Sequence, residues 1–222
     1  MARRTKEEAL ATRSALLDAA ECLFQTHGVS HTTLQHIAQR AGTTRGAVYW
    51  HFKDKADLFN AMMERITLPL EAHFNEEGSP DERNYATQIG ALDRTRTAIG
   101  KALHQIVNDL QTRRVLEVAT QKVEYVEEHK TIRLRHLAIR NSFLGRVQQG
   151  LDAAAQGDHL TLPVSSALAA LGLHALVDGL IQNWLLDPLA FDLVQSGQSA
   201  MDVYLTGLGF VIKPSSAGWT KS

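Results

Sequence analysis

Between Thr33 and Lys55 the chain gathers hydrogen-bond donors at close intervals. Thr33, Gln35, Thr44, Arg45, Tyr49, Trp50, His51 and Lys55 carry hydroxyl, amide, guanidinium, indole, imidazole or ammonium groups, while Gly46 and Ala47 are nearly bare backbone. A guanidinium matches the O6 and N7 acceptors of guanine, and an alanine methyl suits the methyl of thymine. Hydroxyl, imidazole and ammonium groups suit phosphate oxygens. Arg45 would sit in the first turn of a helix, where a cation opposes the helix dipole, and Gly46 costs about 1 kcal/mol there relative to alanine. Both choices make sense if this surface presses against a nucleic-acid groove. Gln35 is expected to read a further base, and Thr33, Tyr49, His51 and Lys55 to hold phosphates on either side. The same residues have plainer uses. Thr33, Thr44 and Asp54 are helix caps, Trp50 suits packing beside a turn, and Arg3, Arg4 and Lys6 form either a solvated end or a DNA-touching arm.

A second constellation lies late in the chain. His174, Asp178 and Gln182 fall at i, i+4 and i+8 within an otherwise apolar stretch, which puts them in one line along a helix. Three polar groups facing a hydrophobic chamber are what a drug-sized ligand needs, and a row of structural hydrogen bonds is the alternative. Arg140, Phe143 and Val147 form a second candidate wall, and Ala98, Ile99 and Ala102 a third in which small side chains leave room. Ile66, Leu70, Leu116, Val177 and Ile181 complete the expected lining.

Catalytic patterns are missing from the sequence. His27, His31 and His36 straddle a turn, and His129 and His136 lie seven apart without a carboxylate at ligand spacing. No Gly-x-Ser-x-Gly, phosphate-cradling loop or dinucleotide fingerprint occurs. Neither an enzyme nor a metal or other cofactor is expected.

The elements that must position these groups are helices, since no stretch alternates apolar and polar residues for long. An all-α fold of about nine helices is predicted. The first runs from about Lys6 to Thr26 on a stripe of Leu10, Leu16, Leu17, Ala20, Leu23 and Phe24, with Gly28 ending it. A short helix follows from Thr32–Thr33 to Gly42, another from Thr44 to His51, and a long one from Asp54 to near Phe74, before loop residues 75–81. Two helices joined by a short Gly-containing turn make a helix-turn-helix, whose second member lies in the DNA major groove. Ile37, Ala38, Ala41 and Val48 would fix the angle of the pair. Beyond the loop, Leu92 to Ile106 and Leu134 to Val147 mark two long helices, with a shorter one near Val115 to Ala119. An apolar helix from Val164 to Leu186 and a last one from Leu193 to Leu208 complete the chain. The apolar helix needs partners on both sides. Its outer side is expected to meet a second copy, with Met201, Tyr204 and Leu205 of the last helix completing a homodimer interface.

The 222 residues therefore divide into a DNA-binding head, 1–55, a helical ligand-binding and dimerisation body, 56–212, and a disordered tail, 213–222. The near-neutral total of 23 Lys+Arg against 24 Asp+Glu hides a basic head: residues 1–55 hold eight basic and five acidic side chains. Cys22 is the one cysteine, so no disulfide forms within the chain, and the start lacks the apolar stretch of a signal peptide. Residues 167–186 carry His174, Asp178, Gln182 and Asn183, which argue against a membrane span. A cytoplasmic location is expected.

The run Thr33-Leu34-(x)2-Ile37-Ala38-(x)2-Ala41-Gly42-(x)2-Arg45-Gly46-Ala47-Val48-Tyr49-Trp50-His51-Phe52-Lys53-Asp54-Lys55-(x)2-Leu58 resembles the TetR-family DNA-binding domain. Ala2 to Ala9 and Thr44-Arg45-Gly46-Ala47 are similar to the AcrR/TtgR-like subgroup of multidrug efflux pump repressors, as are Arg113-Arg114 and Val177 to Leu186. Thr43 departs from the subgroup's usual valine. The resemblance implies a repressor that binds a palindromic operator as a dimer and is released by a lipophilic, drug-like inducer. Residues 119–125 differ from the subgroup's aromatic and cysteine-containing segment, so ligand preference does not carry over. A helix-turn-helix regulator without an inducer, acting through a protein partner, is the alternative.

Overall fold

A computed structural model describes residues 6–72, 90–123 and 130–212, with the side chains of 68–72 excepted. Among these residues there are nine helices and no strand: α1 (Lys6–His27), α2 (Leu34–Arg40), α3 (Arg45–His51), α4 (Lys55–Ala72), α5 (Ala91–Asn108), α6 (Leu110–Gln121), α7 (Lys130–Gly157), α8 (Ser166–Leu186) and α9 (Leu193–Gly207). The loop at 75–81, the tail at 213–222 and the arm residues Arg3 and Arg4 lie outside the described residues. No described helix is long and apolar enough to cross a membrane.

Helix starts follow side-chain capping. Thr33, Thr44, Asp109, Ser165 and Asp192 each accept a hydrogen bond from a backbone N–H in the first turn of the helix they precede. Asp54 does the same for Asp57 at 2.8 Å. Gly28 and Gly42 end α1 and α2 with φ of 79° and 66°. This is the left-handed backbone that only glycine adopts without cost.

The chain forms two compact units, one within Met1–Asn75 and His104–Ser142, the other within Glu76–Leu103 and Phe143–Ser222. The first unit's core joins Leu16, Leu17, Ala20 and Phe24 of α1 to Ile37, Ala38 and Val48 of the two short helices. Leu58, Met62 and Ile66 of α4 and Val115 and Val118 of α6 close it. Four of these core positions, Ile37, Ala38, Val48 and, partly buried, Ala41, are the ones expected to fix the angle of the helix pair. Leu10, by contrast, stays 57% exposed: its turn extends beyond the end of the core that the rest of the stripe covers.

A polar junction crosses this core. Glu21, 1% exposed, accepts from Arg65 Nη1 at 2.8 Å and from Gln111 Nε2 at 3.0 Å, tying α1 to α4 and α6. Arg65 also donates to Asp18 at 2.6 Å and to the Ser14 hydroxyl at 2.7 Å. Burial pushes the Glu21 carboxyl above its ordinary range, against the opposing pull of Arg65 and Gln111.

In the second unit α8 and α9 pack on each other. Leu173, Trp184, Met201 and Leu205 are buried there. The sequence expectation puts Met201 and Leu205 on the outward interface; both instead face inward, because α9 turns that stripe to the chain's own core. Tyr204 bridges the two helices, its hydroxyl donating to the Ala169 carbonyl at 2.9 Å. That hydroxyl occupies the space a Cβ would need at position 172, so glycine there permits the close approach. The faces left open are apolar in part: Leu168, Leu171, Leu186 and Val203 remain exposed.

Candidate nucleic-acid interface and candidate ligand-binding residues

The second short helix, α3, is held by its inner side. Val48 is fully buried, and the following Phe52 is 2% exposed. The Arg13 guanidinium lies 5.1 Å above the centre of the Phe52 ring, a cation–π cover on the end of the helix. The helix starts where the Thr44 hydroxyl accepts from Ala47 N at 3.2 Å. With these two ends fixed, Arg45, Tyr49 and Trp50 stand exposed, while Ala47 and His51 are half-buried.

Arg45 donates to the Tyr49 hydroxyl at 3.0 Å and lies 5.5 Å from the centre of its ring. This i, i+4 pairing holds the guanidinium over the helix surface. Trp50 is 72% exposed, so packing does not explain it; its indole meets the edge of His51, with ring centres 4.5 Å apart. Burial, and next the charge of Arg13, lower the His51 pKa and favour the neutral imidazole. Gly46 is exposed, and a Cβ built there would meet only the Thr44 hydroxyl, at 3.7 Å. The chain's own packing therefore does not require glycine at 46.

Helix α2 contributes Gln35, exposed, and Thr33, which forms a capping box with an unusual third residue. His36 N donates to the Thr33 hydroxyl at 3.2 Å, and the His36 imidazole accepts from Thr33 N at 3.5 Å. A carboxylate or amide normally takes that place. Lys55 is engaged differently from its neighbours: its ammonium donates to the carbonyls of Val29 at 2.7 Å, Thr32 at 3.2 Å and Ser30 at 3.4 Å. It ties the start of α4 to the turn between α1 and α2.

The expected ligand lining divides between the two units. In the first, Ile66 is buried, Leu116 packs against the core, and Arg140 is half-buried with its guanidinium on Asn141 at 3.0 Å. The Leu70 side chain lies outside the described set. In the second, Ala98, Ile99, Val147 and Val177 are buried, and Ala102 and Ile181 are half-buried. Phe143 meets His174 with ring centres 5.3 Å apart, which brings two of the expected walls together. Asp178 is half-buried and accepts from Gln182 Nε2, while Gln182 itself is exposed on the stripe that carries Leu171.

Sequence reasoning missed three features here: the His36 cap, the Arg13 cover on Phe52 and the Glu21 junction. Glu21 had a signal, since it interrupts the apolar spacing of α1 beside Leu17 and Phe24. Arg13 had none, because its contact depends on how α1 passes the end of α3.

Residues 16–62 match the bacterial regulatory proteins of the tetR family, and residues 91–210 match the C-terminal region of MAATS-type transcriptional repressors. The chain is 35% identical over 209 residues to the HTH-type transcriptional regulator TtgR of Pseudomonas putida, covering 94% of this chain and 95% of that regulator. Among solved structures it is similar to NalD, the secondary repressor of the MexAB-OprM multidrug efflux pump in Pseudomonas aeruginosa. That likeness has 34% identity and a TM-score of 0.78, over 91% of this chain and 98% of NalD. SmeT of Stenotrophomonas maltophilia, in its triclosan complex, is 29% identical with a TM-score of 0.74, over 92% of this chain and 98% of SmeT.

Proposed function

Since the chain belongs to the tetR family of bacterial regulatory proteins, we propose that it represses a multidrug efflux operon by covering a palindromic operator as a homodimer. A lipophilic, drug-like compound releases it. The observation that carries the reading is the outward face of α3, where Arg45, Tyr49 and Trp50 stand exposed on a helix whose other side is locked into the core. NalD and SmeT, each a repressor of a multidrug efflux pump, support the efflux assignment.

In this reading DNA binding resides in residues 1–55, and ligand binding and dimerisation in 56–212. Arg45, Gly46, Ala47 and Gln35 read bases; Thr33, Thr44, Tyr49, Trp50 and His51 meet the backbone or groove walls. Lys55, its ammonium committed to three carbonyls, anchors the turn beneath this surface. Phe143, His174, Val177 and Asp178 line the ligand chamber together with Ala98, Ile99 and Val147. The exposed Leu168, Leu171 and Val203 of α8 and α9 support a dimer through the last two helices, because open apolar positions on adjacent helices mark a partner surface. The protein works in the cytoplasm, where its DNA is.

A footprint on the DNA flanking its own gene tests this directly. Protection of two half-sites about one helical turn apart is expected, and triclosan or a panel of dyes and antibiotics should abolish it. Protection that survives every compound would favour a regulator answering to a protein partner, and no protection at low salt would end the DNA reading.

A further inference from the structure

The histidines that straddle the first turn belong neither to the outward face of α3 nor to the expected ligand lining. They meet in an open groove of about 580 Å³, lined by Leu23 and His27 of α1, His31 of the turn, and His36, Gln39 and Arg40 of α2. That is the size of a small-molecule site, and every lining residue lies in the first unit. Leu23 is partly buried and packs on the core, while the other five are exposed. Among the described residues no group of three histidine, cysteine or acidic side chains is arranged to hold a metal ion, so the three imidazoles do not form a metal site.

The lining sets hydrogen-bond donors around one apolar patch. His36, Gln39 and Arg40 fall at i, i+3 and i+4, so they share one side of α2. His36 Nδ1 accepts from Thr33 N, which leaves Nε2 to carry the proton. Among the described residues no carboxylate pairs with Arg40, and none lines the groove. Glu117 of α6 reaches this end of α1 on the face away from Leu23 and His27, where it accepts from Gln25 Nε2 at 2.8 Å. The end of α1 brings the negative pole of its dipole, which opposes an anion. That opposition is blunted, because donors already cover the carbonyls of the turn. The Thr32 hydroxyl donates to Gly28 O at 2.8 Å, and the Lys55 ammonium donates to those of Val29, Ser30 and Thr32.

We propose that this groove is a second ligand site, one that takes an aromatic carboxylate. A guanidinium matches a carboxylate in two parallel hydrogen bonds, and the His36 N–H on the same side of α2 adds a third donor. Leu23 and the flat rings of His27 and His31 give the aromatic ring its seat. A neutral aromatic forgoes the charge-assisted contact, and a small inorganic anion forgoes the apolar one. The occupant touches α1, the turn and α2 at once, so it braces α2 against α1 and gives the head an input of its own. None of the lining residues belongs to the proposed inducer chamber, and the site does not depend on the DNA-binding reading.

The test titrates the full chain with benzoate at constant ionic strength and follows the imidazole Cε1–H signals by NMR. His27→Gln, His31→Gln and His36→Gln assign the three groove signals. These should shift together and saturably, with a Kd in the millimolar range because the groove is open. Benzyl alcohol, which keeps the ring, and acetate, which keeps the carboxylate, should each bind about tenfold more weakly. Arg40→Gln should lose about tenfold in benzoate affinity at an unchanged Tm. Gln39→Glu should do the same by putting a carboxylate into the groove. Unmoved groove signals, benzoate shifts confined to His104 and His174, or equal affinities for the three probes would overturn the proposal. So would full benzoate affinity in both variants. The DNA-binding reading is decided separately, by the footprint.

Discussion

Gly46 separates what the fold requires from what the proposed contact with the DNA groove would require. A Cβ there meets nothing closer than 3.7 Å. Gly46→Ala should therefore raise stability by about 1 kcal/mol, read as a higher Tm, while weakening operator binding. Equal or tighter binding by the more stable variant would show that the backbone does not press against the groove. The candidate recognition residues Arg45 and Gly46 stood out in the sequence because each breaks a local rule, a cation at a helix start and a glycine inside a helix, whereas the exposure of Trp50 runs against the packing that its type suggests. Lys55 was not legible in full. Its ammonium reaches carbonyls 23 to 26 residues earlier in the chain, and spacing along a sequence carries no trace of such a contact.

Elements are held by capping and by the junction across α1, α4 and α6. Glu21→Ala should cost about 3 kcal/mol, because it strands a half-buried Arg65 and the Gln111 amide. Glu21→Gln keeps the hydrogen bonds and drops the buried charge, so it should cost much less. The sign of the pH effect follows from the raised pKa. Burial favours the protonated carboxyl, so this group's contribution to stability is fully present below its unfolded value of 4.5 and is lost as pH rises through the folded value. The gap in Tm between wild type and Glu21→Gln should shift in favour of wild type on acidification; a gap constant with pH would refute the account. Asp109 runs the other way. The Thr112 hydroxyl, helped by the backbone N–H groups of Gln111 and Thr112, lowers its pKa. Its cap therefore stabilises α6 above the unfolded value of 3.8 and fades as pH falls through the folded one. Asp109→Ala should cost about 1 kcal/mol at pH 7 and little at pH 2 in an equilibrium unfolding series. Helix positions were readable from periodicity and caps, but not every end: α7 runs on to Gly157, ten residues past Val147, and α6 begins at Leu110, five before Val115. Which helices share a core was not: α6 joins the head's core through Val115 and Val118, a pairing that periodicity alone does not specify.

At the scale of the whole molecule the open question is the surface of α8 and α9. Leu171→Glu should convert a dimer into a monomer of 24.5 kDa by sedimentation, because a charge buried without a partner opposes association. A variant that stays dimeric would move the interface elsewhere. The sequence announced an apolar helix needing two partners, yet it placed Met201 and Leu205 on the wrong side, since a stripe of buried residues looks the same whichever neighbour buries it. The indoles carry a last consequence. Trp50 faces water on the head, whereas Trp184 is 4% exposed in the second unit. Once Trp219, beyond the described residues, is changed to phenylalanine, the chain is its own optical instrument. Emission from the first ring should dim as a duplex closes over it, and that of the second should respond to a guest molecule, so both equilibria are measurable without a label.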